Sequence, residues 1–440
     1  MTEREKRYAR LLSKMIQVET ISEPGIIHEE KFIKSEEVLA NLFPKVFSSF
    51  ERLPIESGLL MRLKGKTEGE GVLLMSHQDV VSAEGEWTYP PFSGEIADGK
   101  IWGRGTVDTK GALMCILQAA EELLEEKYIP EVDFYIASSW NEEVSGPGAP
   151  NAARYLHDHG VRLQLLMDEG GMVVDEPVKG IKGRFAMIGT VEKGYGDIIA
   201  IAHGKGGHAS APPKNSPLAR LAGFVNELEK HDPNTVELSP TLMEMFRRMG
   251  SRADGVLGFV LRNARFLKPL LKRILPKKSP VLAAMMKTTM AFTMAEGSLG
   301  RNVLPQVAKV NINTRFIQHQ GVEETMAILA PIAKKYDIEL KIEDHCRDLQ
   351  EPVDFNGKGF KIVEETVNEL FPGVVATPYV MTGGTDAYHY RIVTDNAIRF
   401  APLSISNEQH ATVHAADENI DIAVLPPAVD FYKAIIKKVR

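Results

Sequence analysis

A histidine and an aspartate two positions apart follow one of the apolar runs of the sequence. His77 and Asp79 stand in the segment SHQDVV, next to the run at 72–76. On an extended segment these side chains project to the same face, and a carboxylate there can fix the imidazole tautomer that leaves the other nitrogen free for a metal ion. The alternative is a histidine at the end of a strand beside a surface aspartate. The pair alone does not decide between the two.

Further carboxylates stand in two other segments. Asp108 lies in the glycine-rich segment 87–112, just before a helical pattern, and Glu142 and Glu143 lie in WNEEVSG. A carboxylate on a tight glycine turn can bridge two cations; the spacing is not that of a P-loop, and a plain surface turn is the other alternative. Adjacent acids are usually a solvated pair. After a strand, however, neighbouring side chains point in different directions, so one can bind metal while the other faces the attacking water.

Two more segments complete a set of hard ligands. MDEGG offers Asp168 or Glu169 at the end of an apolar run, and VHAADENI supplies His414 far downstream. Imidazole and carboxylate ligands without thiolate suit zinc, or cobalt or manganese in its place. The residue types therefore favour metal-assisted hydrolysis.

The elements that must position these side chains are apolar runs of strand length. The runs at 72–76, 133–138 and 163–168 alternate with a helical pattern at 111–128, and amphipathic patterns at 2–20 and 28–43 predict two earlier helices. Strands that alternate with helices predict an α/β sheet covered on both faces. In such sheets the ligand site lies beyond the carboxyl ends of the strands, where the polar clusters stand.

The pattern changes at about residue 192 and resumes after about residue 347. Apart from a basic stretch, the order between these points is strand, helix, strand, strand, helix, strand, which is the split βαβ arrangement of a ferredoxin-like α+β domain. We therefore expect a catalytic domain of residues 1–191 and 347–440 that is interrupted by an inserted domain of residues 192–346.

Composition and charge exclude several classes. The 440 residues are 44% hydrophobic and 25% charged, as in globular proteins, and the net charge of −7 has the wrong sign for a chain whose whole surface binds nucleic acid. Two cysteines exclude a disulfide framework and favour the cytoplasm. No window is apolar enough for a transmembrane span, and the amino-terminal residues do not resemble a signal peptide.

The stretch 246–288 has a charge of its own. It contains eleven Lys or Arg residues against the single acid Asp254, which gives +10 and leaves −17 for the rest of the chain. Its apolar residues are spaced as one or two amphipathic helices, which we expect Pro269 and Pro276 to break. One interpretation is a lid helix packed on its own domain. Contact with a membrane surface, or capture of acyl or acidic substrates, is the alternative.

The ordered motifs resemble the dinuclear zinc metallopeptidases that include glutamate carboxypeptidase, acetylornithine deacetylase, succinyl-diaminopimelate desuccinylase and carnosinase-type dipeptidases. The motifs that carry the resemblance, in order, are SHQDVV, GRGTVDTKG, NEE, MDEGG, GKGGHAS, NVLP, GGTDA and VHAADE. The continuation of GGTDA into His389 and Tyr390, together with the paired threonines before NVLP, is most similar to the carboxypeptidase S-like and N-acyl-amino-acid hydrolase branch.

The resemblance implies a role for each residue of the clusters. Two divalent ions, zinc by the resemblance with cobalt or manganese as alternatives, would share Asp108 as a bridge, and Glu142 would be the general base. Asp79 would orient His77. The implied ligands are His77, Asp108 and Asp168 for one ion and Asp108, Glu143 and His414 for the other.

The resemblance also assigns roles to the inserted domain. It would be a lid and a dimerisation surface, from which His208 of GKGGHAS reaches the active site of the partner subunit and stabilises the oxyanion. A turn histidine is the alternative. The implied substrate contacts are Asn302, Arg315, Gly383, Gly384, Thr385 and His389, with the arginine on a substrate carboxylate.

These expectations combine into a cytoplasmic, homodimeric metallohydrolase. It would cleave an amide bond next to a free carboxylate, as a carboxypeptidase, a dipeptidase or an N-acyl-amino-acid hydrolase. A deacylase of acetylornithine or succinyl-diaminopimelate type is the alternative among enzymes. A ligand-binding relative that has lost catalysis is the alternative outside enzymes, and the intact Glu142 argues against it.

Overall fold

A computed structural model describes residues 1–26, 28–178, 180–347 and 349–440, which include every site residue predicted above. Within these ranges, no helix is both long and apolar enough to cross a membrane.

The first part of the chain alternates strands and helices. Its strands are β1 (Glu51–Leu53), β2 (Gly58–Leu63), β3 (Thr67–Met75), β4 (Glu95–Ala97), β5 (Lys100–Trp102), β6 (Val132–Ser139), β7 (Arg162–Asp168), β8 (Val173–Asp175) and β9 (Arg184–Glu192). Its helices are α1 (Glu3–Ile16), α2 (Glu29–Leu42), α3 (Pro44–Ser49), α4 (Lys110–Glu125) and α5 (Gly148–Asp158).

The middle part has a different order of elements. Its strands are β10 (Gly194–His203), β11 (Gly207–His208), β12 (Thr289–Glu296), β13 (Val303–Leu304), β14 (Val307–Phe316) and β15 (Glu339–Ile342). Its helices are α6 (Pro217–Lys230), α7 (Pro240–Met249), α8 (Gly255–Arg262), α9 (Lys268–Lys278), α10 (Pro280–Ala284) and α11 (Val322–Lys335).

The last part returns to the first pattern. Its elements are α12 (Lys358–Leu370), β16 (Val375–Met381), β17 (Ala397–Arg399), β18 (Ser404–Ile405), α13 (Asn407–Ala411), β19 (Asn419–Asp421) and α14 (Leu425–Lys438). Short 3₁₀ turns cover Gly250–Arg252, Asp386–Ile392 and Ile422–Val424.

The largest sheet is mixed and joins the first and last parts of the chain. Its order is β1-β2-β6-β3-β7-β17-β9-β8-β18, and β16 also pairs with β9. Because β3 is parallel to both β6 and β7, the carboxyl ends of these three strands are neighbours. The loops that follow them carry His77, Glu142 and Glu169, so the topology brings together three polar clusters that lie far apart in sequence.

Both faces of this sheet are buried under helices. Val72 and Leu74 of β3 belong to one hydrophobic cluster, with α1, α4 and α14, whereas Leu73 and Met75 belong to a second cluster with α5. This is the alternation expected of a strand with period two. The near-continuous apolar runs in the sequence therefore reflect a sheet buried on both sides.

The middle part forms a separate antiparallel sheet. Its order is β12-β14-β10-β15, and helices α6 and α11 pack on it through a cluster that includes Phe224 and Leu329. The chain order of these elements is the split βαβ arrangement that the sequence predicts. A two-stranded ribbon of β11 and β13 lies beside it.

The basic stretch packs on the large sheet and not on the inserted sheet. Leu242 and Met245 of α7, together with Leu271 of α9, share a buried cluster with Phe185 of β9 and Val380 of β16. The cluster therefore joins this part of the chain to the large sheet, while Lys268 and Lys272 of α9 pair with Glu237 of the middle part, and the interpretation of a lid helix packed on its own domain stays a prediction.

The prolines do not interrupt α9. Pro269 lies in the first turn of α9, where a missing N–H costs no hydrogen bond, and Pro276 lies inside the last turns. The predicted break at Pro276 is therefore not observed, and the chain separates instead at Ser279, the N-cap of α10.

Candidate metal centre

His77 is held with one ring nitrogen toward the backbone and the other toward carboxylates. Its Nδ1 lies 2.9 Å from the backbone oxygen of Asp79, which can only accept, so Nδ1 carries the proton. Its Nε2 lies 3.0 Å from Asp108 Oδ1 and 3.4 Å from Glu169 Oε1. The imidazole is buried, and its Nε2 faces the two acids. This is the arrangement of a histidine ligand.

Asp79 connects the loop of His77 to the loop of the two glutamates. Its Oδ1 accepts the backbone N–H of Glu142 and its Oδ2 accepts that of Glu143, both at 3.0 Å. The hydroxyl of Ser22 also donates to Oδ2, at 2.7 Å. Asp79 is fully buried, so these donors satisfy a carboxylate that has no access to water.

Asp108 lies between the two histidines. Its Oδ1 is 3.0 Å from His77 Nε2, and its Oδ2 is 3.0 Å from His414 Nε2. The peptide bond that follows it, Asp108–Thr109, is cis. A carboxylate with one oxygen toward each imidazole has the geometry of a bridging ligand.

Glu418 holds the Asp108 loop in place. Its Oε1 accepts the backbone N–H groups of Val107 and Asp108, at 2.8 Å and 3.1 Å, and its Oε2 accepts that of Gly105 at 3.0 Å. Arg104 donates to the same Oε2 at 2.7 Å. Glu418 is fully buried, so one side chain from the His414 motif fixes the backbone around the candidate bridge.

The remaining carboxylates complete two groups of donor atoms. One group is His77, Asp108 and Glu143, the other is His77, Glu142 and Glu169, and within each group the atoms lie within 4.8 Å of one another. Glu143 Oε2 is 3.2 Å from His414 Nε2, while its buried Oε1 has no hydrogen-bond partner. A buried carboxylate oxygen without a donor fits a cation ligand.

The two adjacent acids at the end of β7, Asp168 and Glu169, make different contacts. Glu169 approaches His77, whereas Asp168 lies outside both donor groups and accepts the backbone N–H of Ala387 at 2.8 Å. The sequence left Asp168 and Glu169 open as candidate ligands, and the resemblance implied Asp168. The structure brings Glu169 to the cluster and uses Asp168 to hold the 383–387 loop.

The cluster contains more buried carboxylates than cations to balance them. Burial raises the pKa of Glu169 to about 8, with a further contribution from the Asp108 charge, and burial raises the pKa of Glu142 well above its ordinary value. Hydrogen bonds to Asp108 and Glu143 raise the pKa of His414 to about 10. Acids that resist ionisation beside imidazoles that hold protons are the signature of a site short of cations, so the donor set fits divalent metal.

A cavity of about 850 Å³ opens beside the cluster. Arg315 lies in it with its guanidinium 4.7 Å from the ring centroid of Tyr195, and Arg347 lies in the same cavity. The residues that line it include Glu142, Glu143, Glu192, Lys193, Tyr195, Arg315, His345, Arg347, Gly383, Gly384, Tyr388, His389 and His414. The candidate base and metal ligands therefore share one cavity with cationic side chains.

The predicted substrate contacts separate into three places. Arg315, Gly383, Gly384 and His389 line the cavity. Thr385 is buried beneath it, where its backbone N–H donates to Glu192 Oε2 at 2.8 Å.

Asn302 and His208 lie elsewhere, on the ribbon of β11 and β13. The backbone oxygen of Asn302 accepts a hydrogen bond from the N–H of Ala209 at 2.9 Å. The exposed His208 forms a hydrogen bond between its Nδ1 and the hydroxyl of Ser210. Neither side chain lines the cavity of this chain.

Several residues of the site carried no separate prediction. Glu418 and Asp386 stand inside quoted motifs, so their presence in VHAADE and GGTDA was the available signal. Lys193 gave none: it lines the cavity, while its Nζ donates to the backbone oxygens of Ala284 and Lys287 at 3.0 Å and 2.9 Å. Glu192 and Arg399 form a buried pair at 3.1 Å under the Thr385 loop.

Comparison with known proteins gives the family. Residues 73–438 match the Peptidase family M20/M25/M40. The chain belongs to this family. Membership confirms the expected metallopeptidase fold, a mixed sheet covered by helices, and the expected class of metal-dependent hydrolase.

Relatives within the M20/M25/M40 family support the branch implied by the motifs. The chain is 33% identical over 408 residues to the N-fatty-acyl-amino acid synthase/hydrolase PM20D1 of Xenopus tropicalis, covering 91% of this chain and 79% of the relative. It is also 33% identical over 423 residues to the probable carboxypeptidase S-like 2 of Dictyostelium discoideum, covering 93% and 80%.

A solved structure shares the fold. The M20 family metallo-carboxypeptidase Sso-CP2 of Sulfolobus solfataricus matches with a TM-score of 0.71 at 18% identity, over 99% of each chain.

Proposed function

We propose that this M20 family member hydrolyses the amide bond of an N-acyl amino acid or a small peptide, next to a free carboxylate. The observation that carries the proposal is the shared cavity, in which Glu142 and His414 lie with Arg315 and Arg347. A guanidinium binds a carboxylate through paired hydrogen bonds, and a second cation increases the attraction. The relatives named for N-fatty-acyl-amino acids and for carboxypeptidase activity support both substrate classes.

Two divalent ions, with zinc as the proposed metal, are part of the proposal. His77, Asp108 and Glu169 would hold one ion, and Asp108, Glu143 and His414 the other. The distance of 3.4 Å between Glu169 Oε1 and His77 Nε2 supports Glu169, in place of Asp168, as the ligand of the first ion. Bound ions would polarise the scissile carbonyl and lower the pKa of the attacking water.

Glu142 would move the proton. Its carboxylate would accept a proton from the attacking water and donate it to the leaving nitrogen, which a raised pKa favours. Its backbone is fixed by Asp79, so the side chain begins from a defined position. His77 and Glu169 lie in the same donor group, which puts this carboxylate beside the candidate metal ligands.

A substrate panel tests the proposal. Purified protein supplied with zinc, cobalt or manganese would be assayed on N-acyl amino acids with short and long acyl chains, on dipeptides, on acetylornithine and on succinyl-diaminopimelate. We expect hydrolysis of N-acyl amino acids or dipeptides, and loss of at least about 1,000-fold in Glu142→Gln with metal content retained. Equal activity of Glu142→Gln, or turnover of the biosynthetic intermediates alone, would contradict it.

Metal analysis tests the bridge. Because Asp108 has one oxygen toward each imidazole, Asp108→Ala should lose both ions. Retention of two ions in this variant would refute the bridging role. Wild-type protein that binds less than one ion per chain and hydrolyses nothing would favour the ligand-binding alternative.

A homodimer through the inserted domain is a further part of the proposal. It is supported by His208, which is exposed on the β11–β13 ribbon and lies outside the cavity of its own chain. We infer that His208 acts in the partner's cavity as an oxyanion donor. Mixing His208→Ala subunits with Glu142→Ala subunits should then restore activity in hybrid dimers, and no recovery after proven mixing would contradict it.

Cytoplasmic location completes the proposal. Cys115 and Cys346 are not joined in a disulfide, which suits a reducing compartment. Fractionation of cells that express the chain under its own promoter would test it, and recovery outside the cytoplasm would overturn it.

A further inference from the structure

Helix α9 has two apolar stripes, and only one of them is covered. Leu271 is buried in the cluster against β9 and β16. Leu270 and Ile274 lie four residues apart on α9 and are 51% and 41% exposed, and Phe266, in the turn just before the helix, is 83% exposed. Residues four apart lie on one helix face. Leu270 and Ile274 therefore form a second apolar stripe in contact with solvent, and the exposed Phe266 directly precedes the helix.

The neighbouring helices add to this apolar surface. Val256 and Phe259 of α8 are 80% and 59% exposed, and Val281 of α10 is 58% exposed. Single exposed apolar residues are common on protein surfaces, but a contiguous group marks an interaction site. With Leu257 at 37%, seven apolar side chains between positions 256 and 281 are exposed, so this segment is a candidate for such a site.

Cations flank the exposed stripe. Arg265, Arg273, Lys277 and Lys278 are exposed, and within the part of the chain that the structure describes no ion pair joins any of them to an acidic side chain. Arg273 and Lys277 lie four residues apart on α9 and three residues after Leu270 and Ile274, so the two cations form a stripe beside the two apolar side chains. Arg265 lies in the turn before the helix, next to Phe266 in sequence. The unpaired charges and the apolar stripe thus lie side by side along α9.

The other basic residues of the segment are used within the protein. Lys268 and Lys272 pair with Glu237, and Lys287 pairs with Asp232. The unpaired cations are therefore the part of the +10 charge that is free for a partner.

A groove of about 880 Å³ lies beside the stripe and combines both chemistries. Arg265 and Arg273 line it together with Phe266 and Pro269. A ligand that presents phosphate oxygens next to an alkyl region matches this lining.

We propose that the exposed face of α9, together with Phe266 just before it, docks the protein on the surface of an anionic phospholipid bilayer. The apolar stripe would enter the boundary between head groups and acyl chains, while Arg265, Arg273, Lys277 and Lys278 contact the phosphates. Charge decides against a second copy of this chain as the occupant, because two copies of the face would bring like charges together. Nucleic acid would satisfy the cations but leave the apolar stripe without a partner.

Flotation with vesicles tests the proposal on the full chain. Vesicles of phosphatidylcholine with one third phosphatidylglycerol should carry the wild-type protein upward, and vesicles of pure phosphatidylcholine should not. Arg273→Ser/Lys277→Ser should weaken the partition coefficient about 30-fold, and Phe266→Ser/Leu270→Ser at least about tenfold. Because all four side chains are exposed, the variants should unfold at the wild-type temperature.

Matched controls test whether the position of these residues on α9, and not only their residue type, is needed for binding. Ile129→Ser removes an exposed apolar side chain elsewhere, and Lys334→Ser removes an exposed cation on α11; both should bind as the wild type does. No binding of wild-type protein to the anionic vesicles, or equal binding by the α9 variants, would overturn the proposal. A wild-type self-association that the Phe266→Ser/Leu270→Ser variant loses, without vesicle binding, would assign the face to a second copy instead.

Discussion

The carboxylate of Asp79 accepts the backbone N–H of Glu142 at 3.0 Å. This bond joins the loop after β3 to the loop after β6, and the same aspartate carries the backbone oxygen that receives the Nδ1 proton of His77. One buried residue thus fixes both a candidate ligand and the candidate base. An orienting role was expected from the resemblance, and the link to the glutamate loop is an addition from the structure.

Asp79→Asn should lower activity by about 10- to 100-fold. The amide keeps one oxygen but presents an NH₂ group where two backbone N–H groups need acceptors, so one of the bonds to Glu142 or Glu143 is lost. The measurement is kcat on the best substrate of the panel, together with metal content. Ser22→Ala, which removes only the hydroxyl donor to Asp79, is the control and should change kcat far less. An unchanged kcat in Asp79→Asn would contradict the prediction.

Glu169→Gln should lose metal, whereas Asp168→Asn should retain it. The Glu169 carboxylate lies beside His77, while Asp168 is occupied with the backbone N–H of Ala387. Mass spectrometry of metals after dialysis measures the bound ions per chain. If Asp168→Asn loses an ion and Glu169→Gln keeps both, the ligand implied by the resemblance is correct and the geometric assignment fails.

Glu418→Gln should destabilise the fold by about 3 kcal/mol. The substitution leaves the buried Arg104 without a counter-charge and replaces one acceptor of the backbone N–H groups around Asp108 with a donor. Urea denaturation gives the free energy of unfolding. The exposed Glu86→Gln makes the same chemical change on the surface and should alter this free energy by less than about 0.5 kcal/mol. Equal stabilities of the two variants would show that Glu418 has no structural role.

Because of His389, the free energy of unfolding should decrease as the pH is lowered from about 6.5 to about 4. Burial, with the charges of Arg347 and Arg391, lowers the pKa of His389 to about 4 from an ordinary 6.5. Above this window the imidazole is neutral in both states. Within it the unfolded chain binds the proton first, so the folded state loses up to about 3 kcal/mol as the pH falls.

The comparison with His389→Gln isolates this contribution. Other acidic groups titrate equally in both proteins, so the difference between their unfolding free energies should shift by that amount between pH 7 and pH 4. Urea denaturation at several pH values measures it. A difference that stays constant over the range would show that His389 titrates normally in the folded protein.

Much of the fold could be read from local patterns. The runs at 72–76, 133–138 and 163–168 became β3, β6 and β7, because a strand buried on both faces leaves an uninterrupted apolar run. The packing of the basic stretch was harder to predict. Its helical spacing can be read locally, but the surface on which its helices pack depends on which sheet has an exposed apolar patch. That surface is formed by β9 and β16, which lie on either side of the stretch in sequence.

The sequence by itself determined the types of the candidate ligands, the order of the motifs and the family. These depend on residue identity and on short spacings, which do not change when the chain folds. Only the tertiary structure decided which of the two adjacent acids approaches His77. Asp168 accepts a hydrogen bond from the backbone N–H of Ala387, whereas the carboxylate of Glu169 lies beside His77. It also decided that Glu418 supports Asp108 and that α9 leaves an apolar stripe exposed, because both depend on contacts between segments that are distant along the chain.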